Sequence, residues 1–110
     1  MSRLVIDVDY LSTRLEYDAE TGLIRWKIKP ANRYVRGWYP GSLTNQGYYN
    51  VSIQSKLYRV HRVVWALYYG HWPINQIDHI DGERGNNRIV NLRDVDPVDN
   101  ARNAKLRNDN

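Results

Sequence analysis

Cysteine is absent from this 110-residue chain, which excludes disulfides and any thiolate zinc site. Phenylalanine is absent too, so the aromatic bulk comes from four Trp and nine Tyr. Those side chains join an apolar body to a polar tip, which suits half-buried surfaces and contact with bases or sugars. No apolar run approaches the roughly 20 residues a membrane span needs. The opening residues Met1-Ser2-Arg3-Leu4-Val5-Ile6 turn acidic at Asp7 and lack the apolar core of a signal peptide. A soluble, intracellular protein is the expectation. At this length one small domain is expected, with an adequate but thin core. There are no internal repeats and no low-complexity segments.

Carboxylates are missing from one stretch in particular. Arg25, Lys27, Lys29, Arg33 and Arg36 follow one another without an acidic residue, interleaved with Trp26, Tyr34, Trp38 and Tyr39. Basic residues among aromatics fit a nucleic-acid surface. They fit a solvated basic hairpin equally well. The overall net charge is only +4, so its distribution carries the argument.

The hydrophobic pattern predicts an α+β chain. Residues 9–17 carry a weak helical stripe of Tyr10, Leu11, Leu15 and Tyr17. A turn at 18–22 leads to a strand at 23–28, with Ile24, Trp26 and Ile28 on one face and basic residues on the other. Residues 30–40 read as a loop. Short strands are expected at 41–44, 48–53 and 57–60, with turns at 45–47 and 54–56, giving a small N-terminal antiparallel meander. The period changes at His61. A helix over 61–69 puts Val60, Val64 and Leu67 on one face and His61, Trp65 and Tyr68 on another, with Gly70 as its stop and Pro73 blocking continuation. Being apolar on most sides, it is expected to be the buried spine.

The second half reads strand 76–80, polar loop 81–88, strand 92–95, then a helix to about Leu106. Asp96 is the expected N-cap, with Pro97 in the first helical position. The chemistry centres on Ile77-Asp78-His79-Ile80-Asp81-Gly82. If the strands pair and the last helix crosses them, Asp78 meets Asn100 over the sheet. A carboxylate and an amide carbonyl are hard oxygen donors, suited to Mg²⁺ or Mn²⁺. His79 is placed to act as a general base on water, with Asn91 bracing the loop and fixing the histidine's orientation. It projects from the opposite side of the strand to Asp78 unless a bulge re-aims it. Asp81, Asn86 and Asn87 are taken as turn formers. His61 is either a phosphate or metal-water contact or a satisfied histidine at a helix start, the latter preferred. Arg93 and Arg107 are candidate phosphate contacts.

The run Ile77 to Gly82, then Asn86-Asn87-Arg88, Asn91-Leu92-Arg93 and Asp99-Asn100, resembles the HNH nuclease superfamily. It is most similar to phage and intron-associated homing endonucleases, in the variant with Asn at the third signature position. The resemblance implies a C-terminal ββα-metal unit over residues 76–108, with residues 1–60 binding DNA and 61–75 as spine helix and linker. It implies Asp78 and Asn100 as ligands of Mg²⁺ or Mn²⁺, His79 as base, Asn91 as loop brace and no organic cofactor. Arg25, Lys27, Lys29, Arg33 and Arg36 are then DNA contacts. The implied activity is hydrolysis of DNA phosphodiesters to 5′-phosphate and 3′-hydroxyl, by a monomer that nicks or a homodimer that cuts both strands. A phage-encoded protein acting in the cytoplasm of a bacterial host is implied. Many relatives continue past the position of Asn110, so a minimal or truncated nuclease is expected. A catalytically silent nucleic-acid-binding module on the same fold, and an RNA-directed nuclease, are the alternatives.

Overall fold

A computed structural model describes residues 6–28 and 37–96. Helix α1 (Val8–Arg14) starts at Asp7, whose carboxylate accepts from the Asp9 amide at 3.2 Å. Such a short helix is marginal alone and is held by burial of Leu11. It stops three residues before the expected end. Residues Leu15–Asp18 instead form β1, paired antiparallel with β2 (Leu23–Trp26) in the register Leu15↔Trp26 to Asp18↔Leu23. The helical stripe through Leu15 and Tyr17 was too weak to hold against this pairing. The ladder buries Leu15 and sets Glu16 opposite Arg25 in an ion pair of 2.6 Å.

β2 ends at Trp26, and Ile28 is 53% exposed rather than on the inner face. The chain leaves the ladder as the Lys27 amide donates to the Arg14 carbonyl. The expected single N-terminal meander is two sheets: the β1–β2 hairpin, and a second built from β3 (Ser42–Leu43), β4 (Tyr49–Ile53) and β5 (Lys56–Arg59). A bridge between Ile24 and Tyr39 extends the hairpin towards the second sheet. The β4–β5 turn has Gln54 and Ser55 both at positive φ, the backbone of a tight two-residue hairpin.

Helix α2 (Val60–Tyr69) runs through the centre, with Val60, Val63, Val64 and Ala66 fully buried. Gly70, at φ 85°, ends it by donating to the Ala66 carbonyl. Around α2 the core gathers Leu11, Leu15, Ile24, Val51, Ile53 and Leu92, so every sheet contributes to it. The last described elements are β6 (Gln76–His79), a 3₁₀ turn at Ile89–Asn91 and β7 (Leu92–Val95), with β6 and β7 antiparallel. The Asp94 carboxylate accepts from the amides of Ile74 and Asn75 and so fixes the entry to β6. The expected C-terminal helix, with Pro97, Asn100 and Arg107, lies outside the described residues, as do Lys29, Arg33 and Arg36. Among the described residues no helix is long and apolar enough to cross a membrane.

Candidate active site

Asp78 and His79 close β6 and, as neighbours on a strand, leave it in opposite directions. Asp78 lies opposite Arg93 in the ladder and is ion-paired with its guanidinium. His79 turns inward and is 6% exposed.

The loop between β6 and β7 is tied by amide and carboxylate side chains. Asn91 accepts from the Asp81 amide at 3.0 Å and donates to the Asp81 carboxylate and the Asn86 carbonyl, each at 2.9 Å. Asp81 also accepts from the Asn86 side chain and the Glu83 amide. These bonds, the Asn86 one foremost, hold its carboxyl below the usual carboxylate range against the opposing effect of desolvation.

The direct partner of His79 is not Asn91. It is Asn87, whose Oδ1 lies 2.8 Å from His79 Nε2, with Asn87 itself only 2% exposed. An amide oxygen only accepts, so Nε2 carries the proton and Nδ1 keeps the lone pair. A base at that nitrogen is what water activation requires. Sequence reasoning took Asn87 for a turn former, because nothing in the pattern distinguishes it from Asn86. Its place comes from the other end of the chain. The Tyr17 hydroxyl donates to the Asn87 carbonyl at 2.5 Å, and a Cβ on Gly22 would stand 2.7 Å from the Arg88 nitrogen and 2.8 Å from the Asn87 carbonyl carbon. The β1–β2 hairpin therefore presses on the loop that orients the histidine. Burial, the largest cause, pushes the Tyr17 phenol well above its ordinary value, so it stays a donor.

His61, from the first turn of α2, sets its ring edge-on to His79 with centroids 5.1 Å apart. It is buried and its Nδ1 has no hydrogen-bond partner. Desolvation, then the neighbouring His79, Arg62 and Arg59, push it from 6.5 down to about 3, so the ring is neutral at ordinary pH. Tyr48 completes the wall, 5.6 Å from His61 and 6.5 Å from His79.

Of the predicted basic contacts, Arg25 is neutralised by Glu16, which reaches it from β1, and stacks on Trp38 with its Cζ 4.5 Å from the ring centre. Lys27 donates from Nζ to the Ser12 carbonyl. Lys27, with Arg25's partners Glu16 and Trp38, borders a cleft of about 380 Å³, which Tyr17 and Tyr68 also line and Asp78 and His79 do not. No group of three or more His, Asp or Glu gathers among the described residues. A hard cation that keeps most of its waters needs one or two protein oxygens, so the carboxylate of Asp78 fits such an ion as one donor.

Residues 58–102 match the family model of the HNH endonucleases. That segment runs from β5 through α2 to β7 and beyond, and contains Asp78, His79, Asn87 and Asn91. Among solved structures, the HNH homing endonuclease I-HmuI, described for its binding and cleavage of DNA, matches with a TM-score of 0.68 at 25% sequence identity. The match covers 94% of this chain and 58% of that one, so the chain spans under two thirds of that protein's length. None of the curated proteins matches the chain.

Proposed function

As a member of the HNH superfamily, of the homing type, this chain is one that we propose to be a divalent-metal-dependent DNA endonuclease. The observation that carries the proposal is the buried His79, its Nε2 engaged by Asn87 and its neighbour on the strand a carboxylate. In this reading Nδ1 of His79 takes a proton from the attacking water. The oxygen adds to phosphorus, the bond to the 3′ oxygen breaks, the departing oxygen takes a proton from solvent water, and the products are 5′-phosphate and 3′-hydroxyl. Asp78, with Asn100, would hold Mg²⁺ or Mn²⁺, which offsets the charge that builds on the phosphate and leaving oxygens. Asn87 keeps the imidazole in the right tautomer. Asn91 keeps the loop closed. The N-terminal sheets and the 25–39 segment bind the duplex, and the 76–108 unit cuts it. One site per monomer nicks, and a symmetric dimer cuts both strands.

One observation favours the second reading, a silent nucleic-acid-binding module: the Asp78 carboxylate is already engaged by Arg93. Cleavage of a supercoiled plasmid with Mg²⁺, Mn²⁺ or EDTA, followed by end-labelling of the products, separates the two. The nuclease reading expects metal-dependent cuts that polynucleotide kinase labels only after phosphatase treatment. Absence of cleavage with either metal, alongside retained DNA binding, supports the silent module.

A further inference from the structure

Two arginines that no predicted contact included converge on Tyr48 beside His79. Arg59, the last residue of β5, holds its Cζ 4.5 Å from the Tyr48 ring centre. Arg84, from the loop after β6, holds its Cζ 4.8 Å from the same centre. Their side-chain hydrogen bonds go to neutral acceptors. Arg59 donates to the Asn50 side chain at 3.2 Å and the Gln46 side chain at 3.4 Å, and Arg84 to the Gln46 carbonyl at 2.5 Å. Among the described residues the Arg–carboxylate ion pairs are Arg25–Glu16 and Arg93–Asp78, and neither takes in Arg59 or Arg84.

Two guanidiniums on one ring repel each other unless an anion lies between them. Each carries five N–H donors in a planar fork, more than these neutral bonds use. That fork matches the oxygens of a phosphodiester. The position also matters. Tyr48 is 6.5 Å from the His79 ring, and Arg59 is close enough to His61 to lower its basicity. Arg84 is exposed, and its loop is the one that Asn91 braces.

Resting on the nuclease reading, we propose that Arg59 and Arg84, aligned on Tyr48, form a clamp for the DNA backbone phosphate at the cleavage position. Arg59 comes from the N-terminal sheet and Arg84 from the catalytic loop. The clamp therefore ties the binding half of the chain to the cutting half through the substrate itself.

The test measures binding of a short DNA duplex in EDTA across a salt series, with single-turnover cleavage in Mg²⁺ as a second readout. The proteins are wild type, Arg59→Gln, Arg84→Gln, the double variant, and each Arg→Lys. Each Gln variant is expected to lower the slope of log affinity against log salt by about 1, and the double variant by about 2. The Lys variants keep the slope but cut more slowly, because an ammonium cannot make the planar two-point contact. Unchanged slopes in Gln variants whose melting points match wild type would overturn the clamp. So would a slope change seen with duplex RNA and not with DNA. Wild-type cleavage judges the nuclease reading separately. Wild type that cuts while the slopes stay fixed leaves the nuclease standing and removes the clamp. Wild type that does not cut removes the nuclease, and the slopes still decide whether these arginines hold a phosphate.

Discussion

Replacing Asn87 by alanine removes the side chain that, among the described residues, hydrogen-bonds the candidate base. His79 Nε2 then loses its partner at 2.8 Å in a place where both residues are almost wholly buried. A buried donor left unpaired costs about 1–3 kcal/mol. With an unfolding entropy near 2.1 cal/mol/K per residue over 110 residues, that lowers the melting point by about 4–13 °C. The loop itself should stay in place, because Tyr17 holds the Asn87 backbone carbonyl rather than its side chain. The imidazole becomes free to change tautomer and rotate. The expected loss in kcat is about 10–100-fold, the scale seen when a supporting partner of a functional histidine is removed. KM for plasmid should change little, since Asn87 has no surface to offer DNA. Asn87→Asp keeps an acceptor oxygen in the same place and should recover most of the rate. The assay is steady-state plasmid nicking in Mg²⁺ beside a melting curve for each variant. A destabilised Ala variant with undiminished kcat, or an Asp variant as slow as Ala, would show that Asn87 does not orient the base.

Three other outcomes follow from the same geometry. Asn91→Ala removes three loop bonds and should cost about 2–4 kcal/mol in urea denaturation, with the loss spread over Asp81 and Asn86. Gly22→Ala puts a Cβ into the Asn87–Arg88 backbone at a φ of 80°, so it should destabilise by about 2 kcal/mol or more and slow cleavage as well. Cleavage at the wild-type rate in that variant would contradict the coupling of the hairpin to Asn87. His61 is neutral when folded, with its value down at about 3 against 6.5 unfolded, so the unfolded chain binds the extra proton between those limits. Its contribution to stability is full above pH 6.5 and is lost as pH falls, at up to about 1.4 kcal/mol per pH unit. Denaturation of wild type and His61→Leu at pH 7, 6 and 5 should show the wild type losing ground to the variant, by about half that amount between pH 7 and 6 and by close to all of it between pH 6 and 5. A constant gap would contradict the desolvated imidazole.

How much of this was legible beforehand depends on how local the signal is. The apolar alternation of β4 and the change of period at His61 are carried by neighbouring residues, and the strand appears there, as does the helix, which begins one residue earlier at Val60. Val60, Val63 and Val64 are buried together because a helical repeat puts them on one side. The polar pair Asp78-His79 between isoleucines stands out for the same reason. The pairing of Leu15–Asp18 was not legible, because four residues with a weak helical stripe become a strand only when β2 lies beside them. The carboxylate that neutralises Arg25 was hidden likewise: segment 25–39 contains none, and Glu16 arrives across the ladder. Asn87 looked like its neighbour Asn86. Its burial is imposed by Tyr17 and Gly22, some 70 residues earlier in the chain. Arg59 and Arg84 are far apart in the chain and reach the same Tyr48 ring because the Asp81–Arg88 loop folds back onto the Gln46 turn.

The central claim is that His79 activates water for metal-dependent DNA hydrolysis. Wild type and His79→Ala, matched for DNA binding in EDTA, should be compared on supercoiled plasmid over a Mg²⁺ titration. The account predicts that wild type relaxes the plasmid as Mg²⁺ rises, that EDTA abolishes the activity, and that His79→Ala binds equally but loses about 10²–10⁴-fold in rate. Equal nicking by His79→Ala, or wild-type nicking that persists in EDTA, would contradict it.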